Sequence, residues 1–424
     1  MANIQQVFLS ELSDALSSDR KLTTCDREVQ HYVDIQKDRL KKKGLELDYE
    51  FTGRGHCPDG QESAWIAKDE HYYCNMWHSS QKYTRVLLKN GKKINKKKMD
   101  AMVWSVVINY INDQNMGEET YVCPNCGNPE KIKALTEGCP YCGTSFKMSE
   151  LYPKVTAYNL VEDFSKDKKE MFRFYFIVCG ITIGVLLIGM PIISLILAAL
   201  AAVVMALMGS DIETIMNILT IPLGFIVQGL CTAPFLGFII AGLILFIKLL
   251  IAGAKAAPLL KTFGSHKKFE DELKKYGQDY LQHFFMSQTV AKVKSAIYSE
   301  NPEELPFYEG GAIPEDMKDV VDIFFRGAMD FKSVEVKDDV AHVSADIYTD
   351  ILSERNGKTK ENERIIHVNM RKNISKKNDL SFSISKFMCP NCGASFNAYK
   401  HKKCPACDSI YKMEDADWVI ESVE

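Results

Sequence analysis

Cys123-Pro124-Asn125-Cys126-Gly127, followed by Cys139-Pro140-Tyr141-Cys142-Gly143, recurs later as Cys389-Pro390-Asn391-Cys392-Gly393 and Cys404-Pro405-Ala406-Cys407. Paired CxxC knuckles at this separation supply four thiolates in a tetrahedron, the arrangement zinc accepts most readily. The eight cysteines therefore predict two zinc ribbons, each holding one structural Zn2+. A redox switch or a catalytic zinc is the competing reading. Four protein thiolates leave no coordination position for water, so the closed structural site is favoured. Proline and glycine within each knuckle suit the tight turn that brings two sulfurs to one metal.

Between the two ribbons lies an apolar block, and residues 174–247 contain no Lys or Arg. It divides into 174–208 and 214–252 around Gly209-Ser210-Asp211-Ile212-Glu213. Each part exceeds the roughly 20 residues that cross a bilayer as a helix. Each reads either as one long helix or as two short ones broken near Pro191 and Cys231–Pro234, giving two or four crossings. Both counts are even, so the flanks share one side. Lys166, Lys168, Lys169 and Arg173 precede the block, and Lys248, Lys255 and Lys261 close it. Positive-inside bias places both flanks in the cytoplasm, where reduced thiolates also persist. The expected location is integral to the cytoplasmic membrane, with the lipid bilayer as a partner. The N-terminus lacks the basic start and apolar core of a signal peptide.

The chain has 424 residues and a formal net charge of -3, so no global charge points to nucleic acid or an acidic substrate. Residues 1–118 read as an N-terminal α+β domain and 119–150 as the first ribbon. The transmembrane region covers 172–252. A second α+β domain covers 264–388 and 413–424, with the other ribbon inserted at 389–412. Helices are predicted over 3–17, from Thr24 to the Lys-rich stop before Gly44, over 266–298 and over 315–328. The run Met99, Met102, Val103, Val106, Val107, Tyr110, Ile111 also has helical spacing. Strands are predicted over 46–52, 63–68, 71–78, 82–89, 331–337, 340–350, 363–372, 380–388 and 416–423. Phe146-Lys147-Met148 follows the first ribbon as Tyr411-Lys412-Met413 follows the second, which suggests a duplicated half.

The C-terminal stretch, roughly 266–424, resembles the family named for the 44-kDa subunit of the mitochondrial inner-membrane translocase. The likeness is carried by Val320-Val321-Asp322-Ile323-Phe324-Phe325, Phe331-Lys332-Ser333-Val334-Glu335-Val336 and Ala341-His342-Val343-Ser344-Ala345. It continues through a late strand, Ile365–Met370, and the closing Asp417-Trp418-Val419-Ile420. It is nearest to bacterial zinc-ribbon membrane proteins that carry this domain. The resemblance implies a cone-shaped fold like nuclear transport factor 2, with a pocket between sheet and helices. A role in protein transport follows by analogy alone.

Other clusters are weaker. His56, Cys57, His71, Cys74 and His78 have irregular spacing and read as ordinary sheet residues rather than a third metal site. Six lysines within Lys89–Lys98 read either as a solvated hairpin tip or as a dock for anionic lipid. Lys400, Lys402 and Lys403 make no extended basic face, so no nucleic-acid partner is expected. The apolar block holds Asn217, Gln228 and Thr232 but no ionisable group in its spans, which argues against a secondary transporter. Nucleophile elbows, phosphate loops and paired carboxylates are missing, so no enzyme and no catalytic residue is expected. The expected function is a membrane-anchored, zinc-stabilised factor that binds or tethers a protein partner. A lipid or small-molecule sensor using the C-terminal pocket and a channel or transporter component are the alternatives.

Overall fold

The computed structural model describes residues 4–25, 27–54, 60–68, 72–110, 120–123, 126–131, 134, 139–143, 154–162, 168–278, 280–375, 386–389, 391–397, 401–410, 412–415 and 417–424. They fall into two compact units, Met1–Asp163 with Pro258–Glu424, and Phe164–Ala257. The first is mixed α and β, with a nine-stranded sheet.

In its N-terminal half, helices α1 (Ile4–Ala15) and α2 (Arg27–Lys42) lead to strands β1 (Leu45–Arg54), β2 (Gly60–Lys68), β3 (Tyr72–Lys89) and β4 (Lys92–Tyr110). A small hairpin, β5 (Thr120–Val122) and β6 (Pro129–Lys131), carries the first ribbon, and β7 (Lys154–Glu162) closes the half. Helices α3 (Lys168–Leu207) and α4 (Ile212–Lys275) follow, the last turns of α4 belonging to the first unit. The C-terminal half then runs α5 (Gln282–Tyr298), β8 (Val320–Lys337), β9 (Val340–Arg355) and β10 (Lys358–Asn373). Hairpin β11 (Lys386–Met388) and β12 (Ser395–Asn397) carries the second ribbon before β13 (Val419–Val423).

The sheet order is β1-β3-β4-β7-β8-β9-β10-β13, with β2 also on β3. In each half, three successive antiparallel neighbours lead into a ribbon, and the strand after the ribbon returns beside the third. The two halves thus share one strand order around their ribbons. The halves meet at the parallel pair β7–β8, through Val161 and Phe325.

Two segments with helical spacing are strands. Residues 99–110 lie in β4, paired along its length with β3 and then with β7. Ala101 and Val103 pack in one hydrophobic cluster, while Met102 and Trp104 pack against the other. A strand apolar on both faces loses the polar alternation that identifies strands, and its β-branched run then mimics helical periodicity. Residues 315–328 fail for the same reason. Only Glu315–Met317 forms a helical turn, and β8 starts at Val320. Val320, Ile323 and Phe325 enter one cluster and Val321 and Phe324 the other. Gly327, at φ 81°, sits where three residues bulge from the β8–β9 ladder. The expected helix over 266–298 is two helices. Gly277 adopts φ 68°, and the Gln278 amide donates to the Leu273 carbonyl, a glycine stop that ends α4. Of the strand expected at 380–388, only 386–388 lies within the described residues.

Phe269, Phe285, Phe331, Tyr280 and Trp418 fill the space between α5 and the C-terminal strands, with Phe269 and Phe331 stacked at 4.1 Å. His266 lies buried against this cluster, sharing a hydrogen bond with the Tyr280 hydroxyl and standing near His283 and Asp330. Burial pulls its imidazole down to about 4, with the Met329 backbone partly opposing the drop. An unfolded histidine titrates near 6.5, so as pH falls the unfolded chain takes up its proton first. His266 therefore contributes stability above about pH 6.5 that is lost progressively toward pH 4, at most about 3 kcal/mol. Denaturant unfolding at both ends of this window should show a steeper acid loss in the native chain than in His266→Phe. Equal slopes would refute the assignment.

The second unit contains two helices long and apolar enough to cross a membrane, Arg173–Leu207 and Thr232–Ile251 by composition. Neither Pro191 nor Pro234 ends its helix, so the block forms two continuous helices rather than four. Gly209 at φ 79° ends α3, and the Ser210 amide donates to the Met205 carbonyl. The helices run back along each other. A Cβ added at Gly237 would lie 2.4 Å from Ile183 Cγ1, the Tyr175 hydroxyl donates to the Phe238 carbonyl at 3.3 Å, and Lys248 Nζ sits 3.4 Å from the centre of the Phe174 ring. Cys179, Ala198, Ala202, Ala233 and Ala241 are buried, small side chains of the kind that let helices approach in lipid. The outward faces remain open, with Ile181, Val185 and Ile188 62%, 64% and 66% exposed.

Candidate metal centres

Each ribbon begins as a two-stranded hairpin whose turn carries the first knuckle. In the first, β5 pairs with β6, and the Cys123 amide donates to the Asn128 carbonyl at 2.9 Å. In the second, β11 pairs with β12, and the Cys389 amide donates to the Ala394 carbonyl at 2.8 Å. All four knuckles close alike. The amides of Gly127, Gly143, Gly393 and Asp408 each donate to the carbonyl of the first cysteine of their own knuckle, at 2.8 Å. These four residues have φ of 73°, 67°, 75° and 58°. Glycine suits that left-handed region, and aspartate is among the few other residues that tolerate it.

The turns bring eight cysteines into two groups, Cys123, Cys126, Cys139 and Cys142, and Cys389, Cys392, Cys404 and Cys407. Within each group all sulfurs lie within 4.8 Å of one another. Sγ separations are 3.8 Å for Cys123–Cys142 and 3.7 Å for Cys126–Cys139. They are 3.6 Å for both Cys389–Cys407 and Cys392–Cys404. A tetrahedron of thiolates about 2.3 Å from a central ion has an edge of about 3.8 Å. These distances fit such an ion and are far too long for a disulfide.

The electrostatics agree. The Ser409 hydroxyl and then its amide donate toward Cys407 and pull its thiol down to about 6. The Cys392 and Asn391 amides lower Cys389. The Ala394 amide favours ionisation of Cys392, but the neighbouring Cys407 and burial outweigh it and push that thiol up to about 12. Four thiols this close cannot all ionise without a cation between them. With a divalent cation all four can, and amide dipoles aimed at sulfur support the excess negative charge. Because protein sulfur occupies every corner, such a centre staples the chain and activates no water.

The second ribbon is tied firmly to the first unit. Phe396 packs on Cys389 and Cys404. Lys402 donates to the Tyr308 carbonyl at 3.0 Å. Beyond the ribbon, Arg371 pairs with Glu309, Glu414 and Glu421, and Asn373 donates to Asp415. Lys292, 3% exposed, pairs with Asp417 at 2.8 Å and donates to the Trp418 carbonyl.

Of the looser set, His56, Cys57 and His71 lie outside the described residues, as does the side chain of Cys74. The lysine run spans the β3–β4 turn, made by Asn90 and Gly91 at φ 51° and 73°, and the first residues of β4. Two of its lysines, both partly exposed, pair with acids of the C-terminal half, Lys89 with Glu354 and Lys97 with Glu361. Lys92, Lys93, Lys96 and Lys98 remain exposed.

A polar junction between the halves escapes sequence reading. Arg85, 2% exposed, pairs with Asp322 at 3.1 Å and with Glu361, and Tyr49 donates to Asp322 at 3.0 Å. From α2, Gln36 donates to the Val321 carbonyl, and Arg39 donates to the carbonyls of Val320, Tyr298, Met317 and Lys318. Nothing local marks these residues, since an arginine in a strand ordinarily points to solvent. Comparison of the chain with protein-family models, curated proteins and solved structures found no match.

Proposed function

We propose that this chain is a membrane-anchored, zinc-stabilised factor that binds or tethers another protein at the cytoplasmic face. The observation that carries the reading is the open apolar surface of α3 and α4. Leaving one large aliphatic side chain in water rather than in an apolar phase costs about 1.5–3 kcal/mol, and both helices carry many. A bilayer removes that cost. That both flanks contribute strands to one sheet supports a reading in which they lie on one side of the membrane, joined by two crossings. Flanking lysines and eight reduced cysteines favour the cytoplasm for that side, and zinc as the ion in both ribbons.

Closed metal centres offer no catalytic position, whereas the ribbons display apolar side chains suited to a partner. Tyr141 in the first is 79% exposed and Ile410 in the second 66%. The C-terminal strands around α5 are read as a cone like that of nuclear transport factor 2. A link to protein transport rests on the translocase-44 resemblance alone.

The test is in-cell photo-crosslinking from Tyr141, Ile410 and the exposed Ser333 and Glu335, combined with alkaline extraction of membranes. Positions 320–329 are buried and would report only on the fold. The chain should resist extraction and crosslink to defined proteins. Release by alkali would refute membrane integration, and an absence of protein adducts above background would refute tethering.

A further inference from the structure

A cavity of about 50 Å³ lies within the first unit, between α2 and β1 of the N-terminal half, β7, and α5 of the C-terminal half. It is not the pocket implied for the C-terminal domain alone, whose aromatic cluster occupies the space between α5 and its strands. One water needs only about 10–15 Å³ of such space, so the cavity has room for a few non-hydrogen atoms.

Its wall is more polar than the core around it. Lys294 stands on the α5 side and, among the described residues, has no carboxylate within ion-pairing distance. The neighbouring carboxylate, Asp322, is engaged by Arg85 at 3.1 Å and Tyr49 at 3.0 Å. Ser295, 1% exposed, and Gln288, 9% exposed, line the same space, and among the described residues Ser295 Oγ and Gln288 Oε1 have no hydrogen-bond partner. The amide nitrogen of Gln288 is already used on the Thr156 carbonyl. Tyr158 and Tyr298 also line the cavity, and burial holds their phenols protonated and able to donate.

An ammonium largely withdrawn from water with no ion pair of its own, and buried polar atoms without partners, both cost free energy. One small anion with oxygen acceptors would answer the ammonium, the phenols and the Ser295 hydroxyl together, and the hydroxyl of a bicarbonate or hydrogen phosphate could also donate to Gln288. We propose that this cavity binds a small carboxylate, or an inorganic oxyanion of similar size, with the Lys294 ammonium as its counter-charge. The volume excludes nucleotides and lipid acyl chains. Burial lowers the affinity of the amine for its proton, with Asp322 opposing, and a bound anion would restore it. Because both halves line the cavity, occupancy would also stabilise their junction.

The test uses the full chain in detergent, with thermal unfolding followed against sodium formate, acetate, bicarbonate or phosphate and an equal concentration of sodium chloride as control. A saturable rise in Tm with at least one oxyanion, absent in Lys294→Met and partly kept in Lys294→Arg, is the expected result. A response to formate or acetate would identify a carboxylate site, and one to phosphate or bicarbonate alone an inorganic oxyanion site. No saturable shift with any of them, or an equal shift in Lys294→Met, would overturn the proposal and leave ordered water as the filling. Should Lys294→Met fail to fold, titration calorimetry of the native chain with the same salts decides, since no binding heat beyond chloride overturns it as well.

Discussion

Replacing Cys392 with serine should lower the metal content of the purified chain from two ions to one and unfold the second ribbon. Among the described residues and apart from its cysteines, that ribbon has Phe396 and Ala394 as its apolar filling, too little to hold the hairpin and the second knuckle together without metal. Structural zinc in such modules contributes on the order of 10 kcal/mol of apparent free energy. Losing one thiolate forfeits most of that and leaves three crowded sulfurs with nothing to share their charge. The effect should spread to β13, since Glu414, Asp417 and Trp418 anchor the exit of the ribbon to Arg371, Lys292 and the aromatic cluster. Elemental analysis with hydrogen exchange should show one ion lost and faster exchange over 386–423. Cys126→Ser should also lose one ion but leave β13 protected. Two ions retained in Cys392→Ser, with unchanged exchange, would refute the assignment.

Arg85→Met should destabilise the first unit by about 3–5 kcal/mol, the usual cost of removing one partner from a buried ion pair. The side chains of Arg85 and Asp322 are 2% and 6% exposed, so the carboxylate left behind could not recover its charge-pairing from water. The Tyr49 hydroxyl would remain as its donor, but a phenol supplies no positive charge. Arg85→Met with Asp322→Asn should be less destabilised than the sum of the single changes, by about 1–3 kcal/mol, since residues in contact couple at that scale. Urea unfolding followed by tryptophan fluorescence measures all three variants. Additive effects would mean that the pair carries no net interaction, and a loss below about 1 kcal/mol for Arg85→Met would mean that water reaches Asp322.

The parts of this molecule legible from residue order are those that depend on short covalent spacing or on solvent transfer. A CxxC turn places its two sulfurs together whatever surrounds it, and Gly127, Gly143 and Gly393 mark the left-handed corner directly. Asp408 marks it too, though less plainly. Apolar runs longer than a bilayer read as helices, and their continuity through Pro191 and Pro234 emerged only in three dimensions. Residues 99–110 of β4 and 320–328 of β8 carry helical spacing because both of their faces pack on hydrophobic clusters, whereas 331–337, the outer part of β8, reads as a strand. That burial is a property of neighbours distant in sequence and leaves no alternation to detect. Of the lysine run, the turn was readable from Asn90-Gly91, but the acids that receive Lys89 and Lys97 lie on β9 and β10.

Residue spacing thus carries the two four-cysteine groups and the pair of apolar helices, because each follows from local backbone geometry or from the aversion of hydrocarbon to water. Only the tertiary structure shows that the flanks of the apolar block share one sheet, cover each other's strands and enclose a polar cavity. Arg85 and Asp322 are 237 residues apart, and their pairing is worth its desolvation only where the assembled core excludes water from both. No local pattern encodes that exclusion.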